Sequence, residues 1–265
     1  MPPKHPTPPT MAERTKYYFL SDAHLGARYV ADPRAHEERV VAMLRMMERD
    51  ARAIYMLGDM VDFWFEYRHV VPKGFSRFFG EVARLTDAGI PVYWFKGNHD
   101  MWTRGYLESE LGVRVVDTML EQELDGRVFV MSHGDGMGPI PASFRALRSF
   151  FRNEGARRIG AALHPRWLMG FGLWWSGHNR VKRVNAPQEY LGDTKEHQMQ
   201  FAIDYARKHP EVDYFVMGHR HIVADCPVPG SQARYICIGD CLNRFTYGVF
   251  DGKNMRIEQF ESGNL

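Results

Sequence analysis

At 265 residues, 45% hydrophobic and 25% charged, with a formal net charge of +2, the chain reads as a soluble globular protein with one large domain or one domain carrying an insertion. No run of about 18 apolar residues occurs, which excludes a spanning helix. Cys226, Cys237 and Cys241 lack the paired spacing of zinc or redox motifs, and so sparse a set fits a reducing cytosol better than a secreted disulfide scaffold.

Met1 to Thr10 is rich in proline and lacks the apolar core of a signal peptide. Residues 1–15 are therefore expected to form a disordered tail, with Met11 as an alternative start, and residues 16–265 the folded domain. Lys16 to Leu20 reads as a first core strand, ending at Ser21-Asp22-Ala23-His24. Asp32 and Pro33 pair an N-cap with a first-turn proline, and the helix after them sets Val40, Met43, Leu44 and Met47 on one face. A second strand, Ala53 to Leu57, ends at Gly58-Asp59. A helix from about Phe75 to Ala88 leads to the strand Val92 to Phe95, which ends at Gly97-Asn98-His99-Asp100. Strand, polar turn and helix, repeated, predict an α/β sandwich with parallel pairing, and such sheets bind ligands outside the carboxyl ends of their strands.

Val113 to Val116 and Val128 to Met131 read as further strands, the second running into Ser132-His133-Gly134-Asp135. A long helix is expected from Pro187 to about His209, then a strand, Tyr214 to Met217, ending at Gly218-His219-Arg220-His221. The tail alternates short strands, Tyr235 to Ile238, Tyr247 to Phe250 and Met255 to Phe260, with a hairpin turn at Asp251-Gly252.

Asp22 and His24 are two apart, so in extended backbone they face the same way, and His219 and His221 repeat that geometry. With Asp59, Asn98 and His133 they make seven ligand-capable side chains at five strand ends. Burying so many polar groups together is costly unless something satisfies them. A mixed nitrogen and oxygen set with one shared carboxylate suits manganese, iron or zinc better than calcium or magnesium.

Asp-x-His, Gly-Asp, Gly-Asn-His-Asp, His and Gly-His-x-His, in this order between about Lys16 and Phe260, resemble the calcineurin-like metallophosphoesterase superfamily. The resemblance implies an α+β fold, a β-sandwich flanked by helices. It also implies two divalent ions, Mn2+ first, with iron or zinc as alternatives. By the same resemblance Asp22, His24 and His221 hold one ion, Asn98, His133 and His219 hold the other, and Asp59 bridges them. Two such cations lower the pKa of a bridging water and orient the phosphoryl oxygens for in-line attack, so no serine or cysteine nucleophile is required. His99 is then expected to face the substrate as the catalytic group that stabilises charge or protonates the leaving oxygen. Asp62 resembles the carboxylate that orients this histidine. Asp100 and Asp135 are placed to support the ligands, or to be ordinary turn residues.

Between Pro139 and Asn185 nine basic residues, among them Arg145, Arg148, Arg152, Arg180, Lys182 and Arg183, stand against one acid, Glu154. Seven aromatics, including Trp174 and Trp175, are interleaved with them. A helical cap over about 139–200 is expected to lie over the metals, with Arg145, Arg148 and Arg152 on substrate phosphates and Trp174 and Trp175 on apolar groups. The plainer reading is a solvated basic face over the packed core of small helices. With Ser21-Asp22-Ala23-His24-Leu25 and Gly58-Asp59-Met60-Val61-Asp62-Phe63-Trp64, the insertion resembles the UDP-2,3-diacylglucosamine pyrophosphatase branch of the superfamily. That implies a cytoplasmic, manganese-using enzyme of lipid A synthesis that splits a nucleotide-linked, doubly acylated sugar into lipid X and UMP. It implies peripheral contact with the inner membrane surface and no nucleic-acid partner. The well-known members of that branch carry arginine where this chain has His99. Two alternatives are a phosphodiesterase or phosphatase on a soluble nucleotide, expected to pack the cap aromatics inward with no apolar groove, and a non-catalytic scaffold.

Overall fold

The computed structural model describes residues 14–184 and 189–261. The expected tail falls almost wholly outside those residues, as do Pro187 and the side chains of Arg180, Lys182 and Arg183. The elements run β1 (Lys16–Leu20), α1 (Pro33–Glu48), β2 (Ala51–Met56), α2 (Ser76–Asp87), β3 (Val92–Phe95), α3 (Tyr106–Leu111), β4 (Arg114–Val116), β5 (Met119–Leu124) and β6 (Arg127–Ser132). They continue as α4 (Ala142–Arg152), α5 (Glu154–Ala162), α6 (Pro165–Val184), α7 (His197–Ala206), β7 (Val212–Met217), β8 (Val223–Pro227), β9 (Arg234–Ile238), β10 (Thr246–Phe250) and β11 (Met255–Gln259).

β1 shows how the layers are written into the sequence. Its residues alternate sides: Tyr17 and Phe19 point between the two sheets, while Tyr18 and Leu20 point to the layer of α1, α2 and α3. Both faces are buried after Lys16, so Tyr17 to Leu20 is an unbroken aromatic and aliphatic run. Phe19 is fully buried and stacks on Tyr55 at 5.1 Å and on Phe129 of the opposite sheet at 5.8 Å. Each such side chain contributes about 1.5–3 kcal/mol of burial. A third apolar layer, including Met199, Ala202, Phe215 and Tyr235, covers the outer face of the second sheet with α7. The result is helix, sheet, sheet, helix.

The sheets are ordered β11-β10-β1-β2-β3-β4 and β5-β6-β7-β9-β8. Parallel pairing holds only in their centres, among β1, β2, β3 and β4 and among β6, β7 and β9. The outer strands β10, β11, β5 and β8 pair antiparallel, so both sheets are mixed rather than parallel. At α1, Asp32 accepts from the amides of Arg34 (3.1 Å) and Ala35 (2.9 Å), the expected cap. The helix expected from Pro187 starts only at His197, because residues before it turn through Gly192 at φ 86°.

Candidate metal centre

The three central strands of the first sheet end in Asp22 and His24, in Asp59, and in Asn98 and His99. Those of the second sheet end in His133, in His219 and His221, and in Asp240. The turns after them are tied across the sheets: Asp22 N donates to Gly58 O (3.1 Å), Gly218 N to His133 O (3.2 Å) and Cys241 N to Ser21 O (3.0 Å). Asp22, His24, Asp59, His219 and His221 all have positive φ, between 44° and 68°. Non-glycine residues in this region cost about 1–3 kcal/mol each, and such strain gathers at functional sites. Asp22 and His24 do face one another, 3.5 Å apart, but through these left-handed turns and not through the extended backbone assumed from sequence.

Two glycines make the room. A Cβ on Gly97 would overlap Asp59 Oδ1 and lie 2.5 Å from the Asp59 amide nitrogen. One on Gly58, already at φ 89°, would sit 2.7 Å from His133 Nδ1. The missing side chain at each position is filled by a neighbouring candidate ligand.

Three sets of donor atoms converge, each within 4.8 Å: Asp22, His24 and His221; His24, Asp59 and His99; Asp59, His133 and His219. Asp59 Oδ2 stands between the outer sets, 3.7 Å from His24 Nε2 and 3.3 Å from His133 Nε2. Asn98 Oδ1 lies 3.3 Å from His133 Nε2 and joins the second set. These donors fit a divalent metal. Asp22 Oδ1 is buried and accepts no hydrogen bond among the described residues, which suits an oxygen that ligates a cation. His133 reports the same demand for positive charge: burial opposes its protonation, yet the Asp59 carboxylate lifts its pKa to about 10. Burial likewise opposes ionisation of Asp59, but His133 and His99 hold its carboxyl well below the usual range. His219 is held well below the ordinary histidine value by burial and by His133.

The groups behind the donors set their direction. His133 Nδ1 meets Leu57 O at 2.8 Å, which turns Nε2 toward Asp59. His24 Nδ1 lies 3.3 Å from Asp62 Oδ1. Asp62 was expected to orient His99 with its carboxylate; that carboxylate lies nearer His24, and it is the Asp62 carbonyl that meets His99 Nδ1, at 2.8 Å. Asp62 Oδ2 also accepts from the buried Ser176 hydroxyl of α6 at 2.8 Å. Asp100 accepts from the amides of Gly97 (2.8 Å) and Met60 (2.9 Å), pinning the turns after β2 and β3 together, while burial and Asp59 push its pKa up to about 7.

Two contributors escaped the sequence. Ser176 had no signal, since its partner is 114 residues away. Asp240 had one: Gly239-Asp240 follows the apolar β9 as Gly58-Asp59 follows β2. Its Oδ2 is 3.4 Å from His221 Nδ1; burial works against its charge, but His221 and turn amides hold its pKa down to about 2.

The residues expected on substrate lie on α4 and α6. Arg148 Nε donates to Asp135 at 2.7 Å, and Arg152 lies 3.6 Å from the same carboxylate while donating to Asp117 O at 2.9 Å. Arg145 donates to Ile140 O at 3.3 Å. These arginines line a cavity of about 470 Å³ beside Gly136 and Gly138. Trp174 and Trp175 are 53% and 41% exposed, on one face of α6 with Trp167 and Phe171, and do not line the larger groove. That groove, about 690 Å³, runs between α6 and the 67–75 loop and is lined by Leu25, Phe63, Tyr67, Val71, Met169 and Leu173 among others.

The family model for calcineurin-like phosphoesterases matches residues 15–223. A protein of Porphyromonas gingivalis (strain ATCC BAA-308 / W83) described as UDP-2,3-diacylglucosamine hydrolase is 41% identical, over 94% of this chain and 98% of its own. One from Aeromonas salmonicida (strain A449), described in the same words, is 23% identical over 91% of this chain and 92% of its own.

Proposed function

The chain belongs to the calcineurin-like phosphoesterase family, and on that premise we propose that it hydrolyses the pyrophosphate of UDP-2,3-diacylglucosamine or a near relative, releasing UMP and an acylated sugar phosphate. Phosphoester hydrolysis and the use of divalent metal come with the family. The finer reading rests on one observation: the apolar groove includes in its lining Leu25 and Phe63, which directly follow His24 and Asp62 in the chain. That groove favours an acylated substrate over a soluble nucleotide. The 41% identical relative, by its description, acts on such a compound.

In this reading Asp22, His24, His221, Asn98, His133, His219 and Asp59 would hold two divalent ions, Mn2+ before iron or zinc. When bound, such a pair makes water acidic enough to attack and neutralises phosphoryl oxygens. The chain's own residues do the rest. His99 is partly exposed, and its Nδ1 is engaged by the Asp62 carbonyl, so its Nε2 is the atom turned toward Asp59, 4.0 Å away. Since the carbonyl only accepts, Nδ1 carries a hydrogen, and it is the doubly protonated ring that also presents one on Nε2, placed to stabilise charge on the phosphoryl group or to pass to the leaving oxygen. α4, α5 and α6 act as the cap, closing the groove with Met169 and Leu173 and reaching Asp62, behind His24, through Ser176. The exposed aromatic face of α6, at i, i+4, i+7 and i+8 from Trp167, suits peripheral contact with a membrane that carries the lipid.

UMP release from UDP-2,3-diacylglucosamine with Mn2+, measured beside UDP-glucose, tests the substrate. Turnover of the acylated compound with little of UDP-glucose is expected. Equal turnover of both would remove the groove from the account.

A further inference from the structure

We propose that Asp240 is a positioning residue of the metal centre, holding His221 by Nδ1 so that Nε2 is the atom left to meet an ion beside Asp22. The assignment rests on the dinuclear reading above.

The topology puts Asp240 where a functional group belongs. Each sheet has parallel strands that end at the donors, and β9 is the one central strand of the second sheet whose end carries none of the seven expected ligands. Asp240, 2% exposed, stands there. Its two oxygens have separate partners. Oδ1 accepts from the amides of Leu242 (3.0 Å), Asn243 (2.5 Å) and Arg244 (3.0 Å), closing the turn before β10. Oδ2 faces His221 Nδ1 at 3.4 Å, and on the other side of that ring Nε2 is 3.2 Å from Asp22 Oδ1. The same turn also holds the backbone of His221, because Arg244 Nε donates to His221 O at 3.2 Å.

An ionised carboxylate only accepts, so the hydrogen of His221 belongs on Nδ1 and the lone pair on Nε2. The other tautomer would put a proton where an ion has to sit. His133 is held the same way, by the Leu57 carbonyl at 2.8 Å, and His24 Nδ1 faces the Asp62 carboxylate at 3.3 Å. Asp240 supplies the matching acceptor for His221. Such partners of ligating histidines fix ring orientation, and their loss weakens metal binding by about 10–100-fold.

Asp240→Asn separates this role from the turn. Asparagine keeps an oxygen for the three amides but presents its NH2 to His221, so donor meets donor and the proton is driven to Nε2. Mn2+ bound per chain is measured by equilibrium dialysis with elemental analysis, together with the melting temperature of the metal-free protein. The parent chain is expected to bind two ions. Asp240→Asn is expected to keep one at parental affinity, to bind the other about 10–100-fold more weakly, and to melt as the parent does without metal. The double variant with His221→Ala is expected to lose no more affinity than His221→Ala alone, as coupled residues do. A parent with two ions beside an Asp240→Asn that binds both as tightly overturns the assignment, as does a loss fully additive with His221→Ala. A parent that binds fewer than two ions overturns the dinuclear reading, and the assignment with it.

Discussion

His99 and Asp59 lie 4.0 Å apart, yet the account gives them different work. Asp59 belongs to two of the three donor sets, so Asp59→Ala is expected to lose bound metal and activity together. His99→Ala is expected to slow turnover by about 10²–10⁴-fold, the range for a lost acid or charge-stabilising group, while metal content stays at the parental level. Elemental analysis of the two purified variants decides the matter; equal metal loss would contradict the roles. Most of these residues could be read from sequence because donor types recurred after apolar runs. What could not be read was which group stands behind which donor. Asp62 serves His24 with its carboxylate and His99 with its carbonyl, a division set by how the turn after β2 crosses the turn after β3.

Among the elements, the turns matter more than the strands they end. Gly97 leaves the space that Asp59 occupies, so Gly97→Ala must push the carboxylate aside. A displacement near 1 Å at such a site costs about 10²-fold in turnover; that loss, with reduced Mn2+ binding, is expected in rate and dialysis measurements, and parental values of both would show that the turn yields. Arg152 tests the cap root instead. It reaches Asp135, Asp117 O and Lys96 O from α4, so Arg152→Ala is expected to lower stability by about 1.5–3 kcal/mol, the scale of hydrogen bonds made by a charged group. A shift in the urea midpoint worth less than about 1 kcal/mol would return this arginine to the substrate, as first read from its charge. The central strands were legible because burial on both faces makes them apolar runs. β5 and β8 were not, since they lie at sheet edges and carry exposed polar residues such as Glu121, Glu123 and Asp225. Of the antiparallel pairs, β5 with β6, β8 with β9 and β10 with β11 join consecutive strands, and only β1 with β10 brings distant segments together, a pairing no local pattern records.

For the molecule as a whole, α6 carries two apolar faces with different fates. Met169 and Leu173 line the groove, while Trp167, Phe171, Trp174 and Trp175 are 41–69% exposed. Among the described residues no helix is long and apolar enough to cross a membrane, so contact with lipid would be through such a face. Sedimentation with vesicles of anionic phospholipid is expected to carry the protein down, and Trp174→Ala with Trp175→Ala to reduce binding several-fold with bis-p-nitrophenyl phosphate hydrolysis unchanged. Vesicle binding that is unaffected by the pair would place the contact elsewhere. All of this depends on a centre that holds two ions where the sheets meet. Its most direct measurement is hydrolysis of bis-p-nitrophenyl phosphate by chelated protein during stepwise return of Mn2+. The account predicts no turnover after chelation and activity that rises to its maximum at two equivalents per chain; full turnover by the chelated protein would contradict it.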